Sequence, residues 1–300
     1  MDDPRHPFVS VAIPTYGRAR HLERCLGSLV RQDYPADRYE IVVADDGSTD
    51  RTARVVETIR RRAPLPAVRY ARQDHRGLNA ARNLALRHSS GDPVCFIDDD
   101  EDVPPAWLGA MVEGVLRHPA AGCVGGPMRL RFEGKPPRTC GREPFGESEL
   151  DLGDDAVEVE HVWGGNMAVR RAAIAAVGPF REDLALLGGT ETEWQDRLRA
   201  AGGRVMYVPE AWVAHVRTQA ELRLPYLVWR HFQRGRGQAI NGSRAGQPCS
   251  RTTTMQGLRI ALRHALVDRC TVGVIDAARQ VGRLMGMAEA ALRGRDRGPP

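Results

Sequence analysis

The chain has 300 residues, is 42% hydrophobic and 27% charged, and holds no run near the ~20 apolar residues of a membrane span, so its composition is that of a globular protein with a sizeable core. The net charge of +5 is unevenly placed: residues 217–300 carry 15 Arg against 5 acids, which leaves −5 on residues 1–216. Lysine occurs once, at Lys135, so the arginine excess reads as compositional bias, and no interleaved stacking aromatics point to nucleic acid.

Residues 8–13 form an apolar, β-branched run that predicts a buried strand. Leu22, Cys25, Leu26, Leu29 and Val30 follow at helical spacing. A second strand over 39–44 stops at Asp45-Asp46-Gly47-Ser48, where Ser48 or Thr49 is placed to cap a helix that buries Val55, Val56 and Ile59. A strand over 68–71, a helix over 78–88 and a strand over 93–97 lead into Asp98-Asp99-Asp100. Pro104-Pro105 then opens a helix with Leu108, Met111, Val112, Val115 and Leu116 on one face.

This alternation predicts an open, mainly parallel α/β sheet, in which ligands bind beyond the carboxyl ends of the strands. Pro14-Thr15-Tyr16, Asp45-Asp46 and Asp98-Asp99-Asp100 all fall at that edge. Residues 129–156, rich in Gly, Pro and charge, read as a loop. Strands over 157–163, 167–169, 204–208 and 212–216 and helices over 171–177 and 191–201 continue the pattern. Two basic helical regions, 221–234 and 256–292, follow, split by a loop over 241–253. There is no internal repeat. Packing or dimerisation suits these helices, with contact to a membrane surface as the other reading.

The six cysteines include no CxxC pair, and Cys25, Cys95 and Cys123 sit in apolar runs. They read as reduced thiols of a cytoplasmic protein, placed in the second reading at the inner face of the membrane. The charged start, with Asp2, Asp3 and Arg5, leads straight into the first strand and does not read as a secretory leader.

Three carboxylates in a row repel one another and want a cation. Hard ions such as Mg²⁺ or Mn²⁺ accept a few carboxylates together with phosphate oxygens, and such an ion can take up the charge of a departing diphosphate.

On these stretches the chain resembles the family 2 glycosyltransferases of the GT-A fold. The matching segments are Val9–Tyr16 in number order, Val42-Val43-Ala44-Asp45-Asp46-Gly47-Ser48-Thr49-Asp50, Gly77-Leu78-Asn79-Ala80-Ala81-Arg82-Asn83, Phe96-Ile97-Asp98-Asp99-Asp100, Trp163-Gly164-Gly165-Asn166-Met167 and Pro209-Glu210-Ala211-Trp212-Val213-Ala214-His215. The resemblance spans about 8–216. It implies a nucleotide-sugar-binding half over 1–125, an acceptor-binding and catalytic half over 126–216, and a basic helical region over 217–300. It implies an inverting transfer of a hexosyl or N-acetylhexosaminyl group to a hydroxyl acceptor, which is a saccharide, a lipid-linked sugar or a small natural product. The usual base is uridine, with dTDP and GDP left open.

The resemblance also implies roles. Pro14, Thr15 and Tyr16 line the base pocket, with Arg18 on the donor side. Asp46 accepts from the imide of the base, and Arg82 lies near the base or diphosphate unless it pairs with an acidic neighbour. Asp98 or Asp99 touches the ribose, Asp100 ligates Mn²⁺ or Mg²⁺, and His215 completes the metal shell. Gly165 and Asn166 approach the donor sugar or acceptor. Arg234 and Arg236 are candidates to cover the diphosphate.

The family's Glu-Asp pair is replaced in Gly188-Gly189-Thr190-Glu191-Thr192-Glu193-Trp194. Thr190 stands for the Glu and Glu191 for the basic Asp, with Glu193 as the rival. A nucleotidyltransferase would show a Gly-rich, Lys-bearing loop after the first strand, and Pro14-Thr15-Tyr16-Gly17-Arg18 is not one. A dinucleotide-binding dehydrogenase is disfavoured, because no GxGxxG follows the first strand. A non-catalytic nucleotide-sugar-binding module rests on the Thr190 departure alone.

Overall fold

The computed structural model describes residues 5–137, 139–140, 149–184 and 190–295. The chain forms two compact units, the first from residues 1–131, 148–185 and 191–216 and the second from 132–147, 186–190 and 217–300. The Gly188-Gly189 pair lies outside the described residues.

Along the chain the elements of the first unit are β1 (Val9–Thr15), α1 (Ala19–Leu29), β2 (Tyr39–Asp45), α2 (Thr52–Arg62), β3 (Ala67–Arg72), α3 (Leu78–His88), β4 (Val94–Ile97), β5 (Glu101–Asp102), α4 (Trp107–Arg117), β6 (Ala121–Gly125), β7 (Met128–Phe132), β8 (Val157–Glu158), β9 (Asn166–Val169), α5 (Arg171–Val177), α6 (Thr190–Ala200), β10 (Arg204–Tyr207) and β11 (Val213–Arg217). The larger sheet has the order β3-β2-β1-β4-β9-β6-β10-β8, and a smaller one the order β5-β11-β7. Strands β1 to β4 are mutually parallel where they pair, as the sequence predicts, while β9 runs antiparallel between β4 and β6.

Every residue of β1 and β2 is buried, because helices cover both faces of the sheet. The two-residue period of a strand divides the core. Val11, Ile13, Ile41 and Val43 pack with Leu22, Leu26 and Met111 on one face. Ala12, Val42, Val94 and Phe96 pack with Leu84, Trp194 and Leu198 on the other.

The helix cap expected of Ser48 or Thr49 is supplied by Asp50. Its carboxylate accepts from the backbone N–H of Ala19 and of Thr52, each at 3.0 Å, and so serves the first turns of α1 and α2 together. Burial pushes the Asp50 carboxyl up, but donation from Thr52 and Ala19 outweighs it and the net shift is downward. Ser48 instead accepts from the N–H of Gly17 at 2.8 Å, in the turn after β1.

Three expected boundaries move. The loop predicted over 129–156 contains β7, whose side chains alternate between buried and more exposed. The strand predicted over 157–163 is only β8, a two-residue edge strand on β10. The two basic helical regions are three helices, α7 (Leu224–Arg244), α8 (Arg251–Leu266) and α9 (Thr271–Arg295).

Within the second unit α7 and α9 approach closely through glycine. A side chain at Gly235 would strike the Arg279 carbonyl, and one at Gly282 the Phe232 carbonyl. Among the described residues no helix is long and apolar enough to cross a membrane.

Candidate active site

Topology gathers the polar clusters. Parallel β1, β2 and β4 all end at one edge, at Thr15, Asp45 and Ile97. Because β9 is antiparallel it begins where β4 ends, with Asn166 opposite Ile97, so Gly164-Gly165 stands beside the acid run. Strand β11 pairs with β5 in the register His215 to Glu101, which brings His215 to the same place.

Thr15 Oγ1 donates to Asp99 Oδ2 at 2.7 Å. Arg18 donates to Asp99 Oδ1 at 3.1 Å and to Asp100 Oδ2 at 2.9 Å. His215 Nε2 lies 3.1 Å from the same Asp100 oxygen, and both side chains are buried. Burial pushes the Asp98 carboxyl up against the pull of Arg82, and Asp100 adds to the rise. Burial likewise lifts Asp99 to about 7 against Arg18. Both carboxyls are thus held above the ordinary carboxylate range, chiefly by burial.

Helix α6 supplies the second group. Trp194 and Leu198 are buried on its inner face, with Trp194 Nε1 donating to the Gly178 carbonyl at 2.9 Å. Gln195 bonds both the N–H and the carbonyl of Val162, which ties the helix to the chain ahead of Gly164-Gly165. Glu191, three residues before Trp194, shares this face. Its carboxylate lies 3.6 Å from Arg82 of α3, itself buried and 5.6 Å from the centre of the Phe180 ring. The ion pair that sequence offered as the alternative for Arg82 is thus formed, and its partner is Glu191.

Glu193 faces elsewhere, bonded to Arg197 at 2.9 Å within the helix. The two asparagines beside Arg82 hold the chain that follows α5. Asn79 donates to the Arg181 carbonyl, and Asn83 both donates to and accepts from the backbone of Phe180.

The glycines fit tightly. A Cβ on Gly165 would lie 2.6 Å from Glu101 Oε1 and 2.7 Å from Asp98 Oδ2, and one on Gly164 would clash with Arg82. Asn166 is a correction: its side chain faces the interior. It donates to the carbonyls of Pro127 and Ala211 and accepts from Trp107 Nε1 at 2.9 Å, so it fixes the start of β9 with both amide hydrogens engaged.

Asp46 is a second correction. Its buried carboxylate accepts from Gln73 at 2.7 Å and from the backbone N–H of Arg76 and Gly77 at 2.9 and 2.7 Å, with His75 Nδ1 at 2.8 Å. These partners fill the acceptor positions expected to receive a base imide. They also bind the 73–77 segment at the start of α3. Asp45 accepts from Tyr70 and from the N–H of Ser48 and so holds the turn after β2.

Tyr16, half exposed after buried Pro14 and Thr15, stacks on His75 with ring centres 4.1 Å apart. His75 was not among the sequence candidates. The signal that could have found it is its position just after β3, at the same strand edge.

Arg234 and Arg236 belong to α7 in the second unit. Arg236 corrects the expectation that it covers a diphosphate, since Glu289 of α9 holds it with two hydrogen bonds at 2.8 and 2.9 Å.

The donor set suits a hard divalent ion. Adjacent ligands of an octahedral ion with bonds of ~2.1 Å stand about 3 Å apart, which matches Asp100 Oδ2 and His215 Nε2. Arg18, already against Asp99 and Asp100, shows that the position attracts a cation. Among the described residues no third Asp, Glu, His or Cys atom closes with this pair, so phosphate oxygens and water would take the other positions.

Residues 10–178 match the model of the family described as Glycosyl transferase family 2. The chain is similar to the succinoglycan biosynthesis protein ExoM of Rhizobium meliloti (strain 1021), with 30% identity over 229 residues that cover 76% of this chain and 72% of that protein. Among solved structures it resembles the mannosyltransferase PcManGT from Pyrobaculum calidifontis in complex with GDP-Man and Mn²⁺, with 20% identity and a TM-score of 0.61 over 98% of this chain and 76% of that one. It also resembles S. aureus TarS 1-349 in complex with UDP, with 18% identity and a TM-score of 0.56 over 95% and 91% of the two chains.

Proposed function

The chain belongs to glycosyltransferase family 2, and on that premise we propose that it is an inverting, metal-dependent enzyme that moves a hexosyl or N-acetylhexosaminyl group from a UDP-sugar to an acceptor hydroxyl. The observation that carries the reading is the convergence of Glu191 and the acid run on one sheet edge, joined by Arg82, which stands 3.6 Å from Glu191 and acts electrostatically on Asp98.

Glu191 takes the proton of the acceptor hydroxyl as its oxygen bonds to the anomeric carbon and the bond to the diphosphate breaks. Arg82 holds the Glu191 carboxylate in place. Tyr16, supported by His75, offers a stacking face for the base, and Thr15 with Asp99 borders the ribose. Arg18 is partly exposed and lies on the donor side of the run, where its guanidinium suits phosphate oxygens. A divalent ion held by Asp100 and His215 would neutralise charge on the departing nucleoside diphosphate.

The acceptor is read as a saccharide, a lipid-linked sugar or a small natural product. The helical unit is read as an assembly or membrane-facing surface, supported by exposed Leu262, Leu266, Val281 and Met285 among its arginines. Action in the cytoplasm is read from the thiol-bearing composition.

A thermal-shift panel of UDP-, dTDP- and GDP-sugars, each with Mn²⁺ and with EDTA, tests the donor. Metal-dependent stabilisation by UDP-sugars is expected. Stabilisation by GDP-sugars alone would overturn the base assignment, and none by any nucleotide sugar would overturn the reading as a whole.

A further inference from the structure

Three metal-ligating side chains meet in the second unit, none of them a residue given a part in sugar transfer. Cys140 Sγ lies 2.9 Å from His264 Nε2, and the Cys140 N–H donates to Cys270 Sγ at 3.2 Å. All three ligand atoms fall within 4.8 Å of one another. Among the described residues this is the one group of three or more His, Cys, Asp or Glu side chains that closes so far.

We propose that Cys140, His264 and Cys270 form a zinc site that fastens Cys140 to the corner between α8 and α9. Two thiolates and an imidazole are the ligand types that select Zn²⁺ over Mg²⁺ or Mn²⁺. A tetrahedral zinc with bonds of ~2.3 Å to sulfur and ~2.0 Å to nitrogen sets its ligands roughly 3.5–3.8 Å apart. The three ligand atoms already lie within 4.8 Å of one another, and the Cys140–His264 contact needs to open by only about 0.6 Å. Each thiol would release its proton to solvent as the ion binds. Cys140 is exposed, and water would complete the four-coordinate shell.

The corner is built to present these groups. Helix α8 ends just after His264 and α9 begins just after Cys270. The Cys270 N–H bonds the His264 carbonyl at 3.4 Å, which folds the connection back on itself. Arg269 takes φ +49°, a left-handed conformation that a non-glycine residue seldom adopts, immediately before Cys270. Buried Cys270 then lies at the amino end of a 25-residue helix, where a thiolate is favoured. A disulfide between Cys140 and Cys270 would use the same sulfurs but leaves His264 beside Cys140 without a purpose.

The full-length protein, purified under reducing conditions and dialysed, is assayed for zinc and then reconstituted with Co²⁺. About one zinc per chain is expected, with thiolate-to-cobalt charge transfer and tetrahedral ligand-field bands. Asp100→Ala should keep these bands, since its site has oxygen and nitrogen donors only. Cys140→Ser, at an exposed position that leaves the fold intact by circular dichroism, should lose them, and His264→Ala should weaken them. Chelation should lower the thermal stability of the unaltered protein but not of Cys140→Ser. Retention of the bands in Cys140→Ser would overturn the proposal. So would their absence in the folded, unaltered protein, whether its thiols titrate freely or Cys140 and Cys270 prove to be oxidised to a disulfide.

Discussion

Arg82 of α3 and Glu191 of α6 face each other at 3.6 Å, both buried, beside a backbone step where a side chain at Gly164 would strike Arg82. Two residues that are ambiguous separately become one device. The arginine reads as a phosphate ligand or a plain ion pair, and the glutamate as a base or an acid drawn to a helix amino end. Together they fix a carboxylate next to the acid run.

Arg82→Met keeps an unbranched apolar stem and removes the guanidinium charge. It should lower kcat by roughly tenfold or more while changing KM for the donor little, because it loosens the base and touches no donor atom in this account. A large rise in donor KM at unchanged kcat, measured in steady state, would place Arg82 on the donor instead.

Glu191→Gln should reduce transfer by about 10²–10⁴-fold, the usual contribution of a general base, and leave UDP affinity nearly unchanged. Glu193→Gln should act mainly on stability, and modestly, since Glu193 is engaged with Arg197. Parallel transfer assays and UDP titrations separate the two, and the opposite pattern would make Glu193 the base.

Asp46→Ala tests the corrected role of that carboxylate. It removes the acceptor for Gln73 and for two backbone N–H groups, so a loss of about 2–4 kcal/mol of stability is expected without any nucleotide present. Chemical denaturation measures it. Unchanged stability with weakened uridine binding would restore direct base recognition.

Gly165→Ala would force a Cβ to within 2.6–2.7 Å of the Glu101 and Asp98 carboxylates. Overpacking of this kind costs about 1–3 kcal/mol, and displacement of the run should weaken metal-dependent donor binding as well. Calorimetric titration of UDP in Mn²⁺ checks this, and wild-type affinity would show that the run tolerates the shift.

The parallel half of the sheet was legible because strands covered on both faces read as short apolar runs, and β1, β2 and β4 each end in a polar cluster. What sequence could not show were partners distant along the chain. Asp46 and Asp45 look alike in sequence, but Asp46 turns to a segment 27–31 residues later, while Asp45 divides its two oxygens between Tyr70 of β3 and the turn beside it. Arg236 was read as free for phosphate because Glu289 lies 53 residues on, one helix away. Asn166 looked like part of a glycine-rich sugar contact, although its amide is spent on Pro127, Ala211 and Trp107.

Strand β7 was passed over because Met128-Arg129-Leu130-Arg131-Phe132 buries only Met128 fully, with Leu130 and Phe132 half-buried on the same face, inside a stretch of loop composition. The break between α8 and α9 carries neither glycine nor proline, and Arg269 adopts the positive φ that glycine usually marks.

Release of nucleoside diphosphate from its sugar nucleotide is the most direct test of the central claim. With the preferred donor and Mn²⁺ the unaltered protein should release UDP, and EDTA or Asp100→Ala should abolish release while Glu191→Gln still binds UDP. Equal release in Mn²⁺ and in EDTA, or full release by Asp100→Ala, would contradict a metal-assisted transfer organised by the acid run and His215.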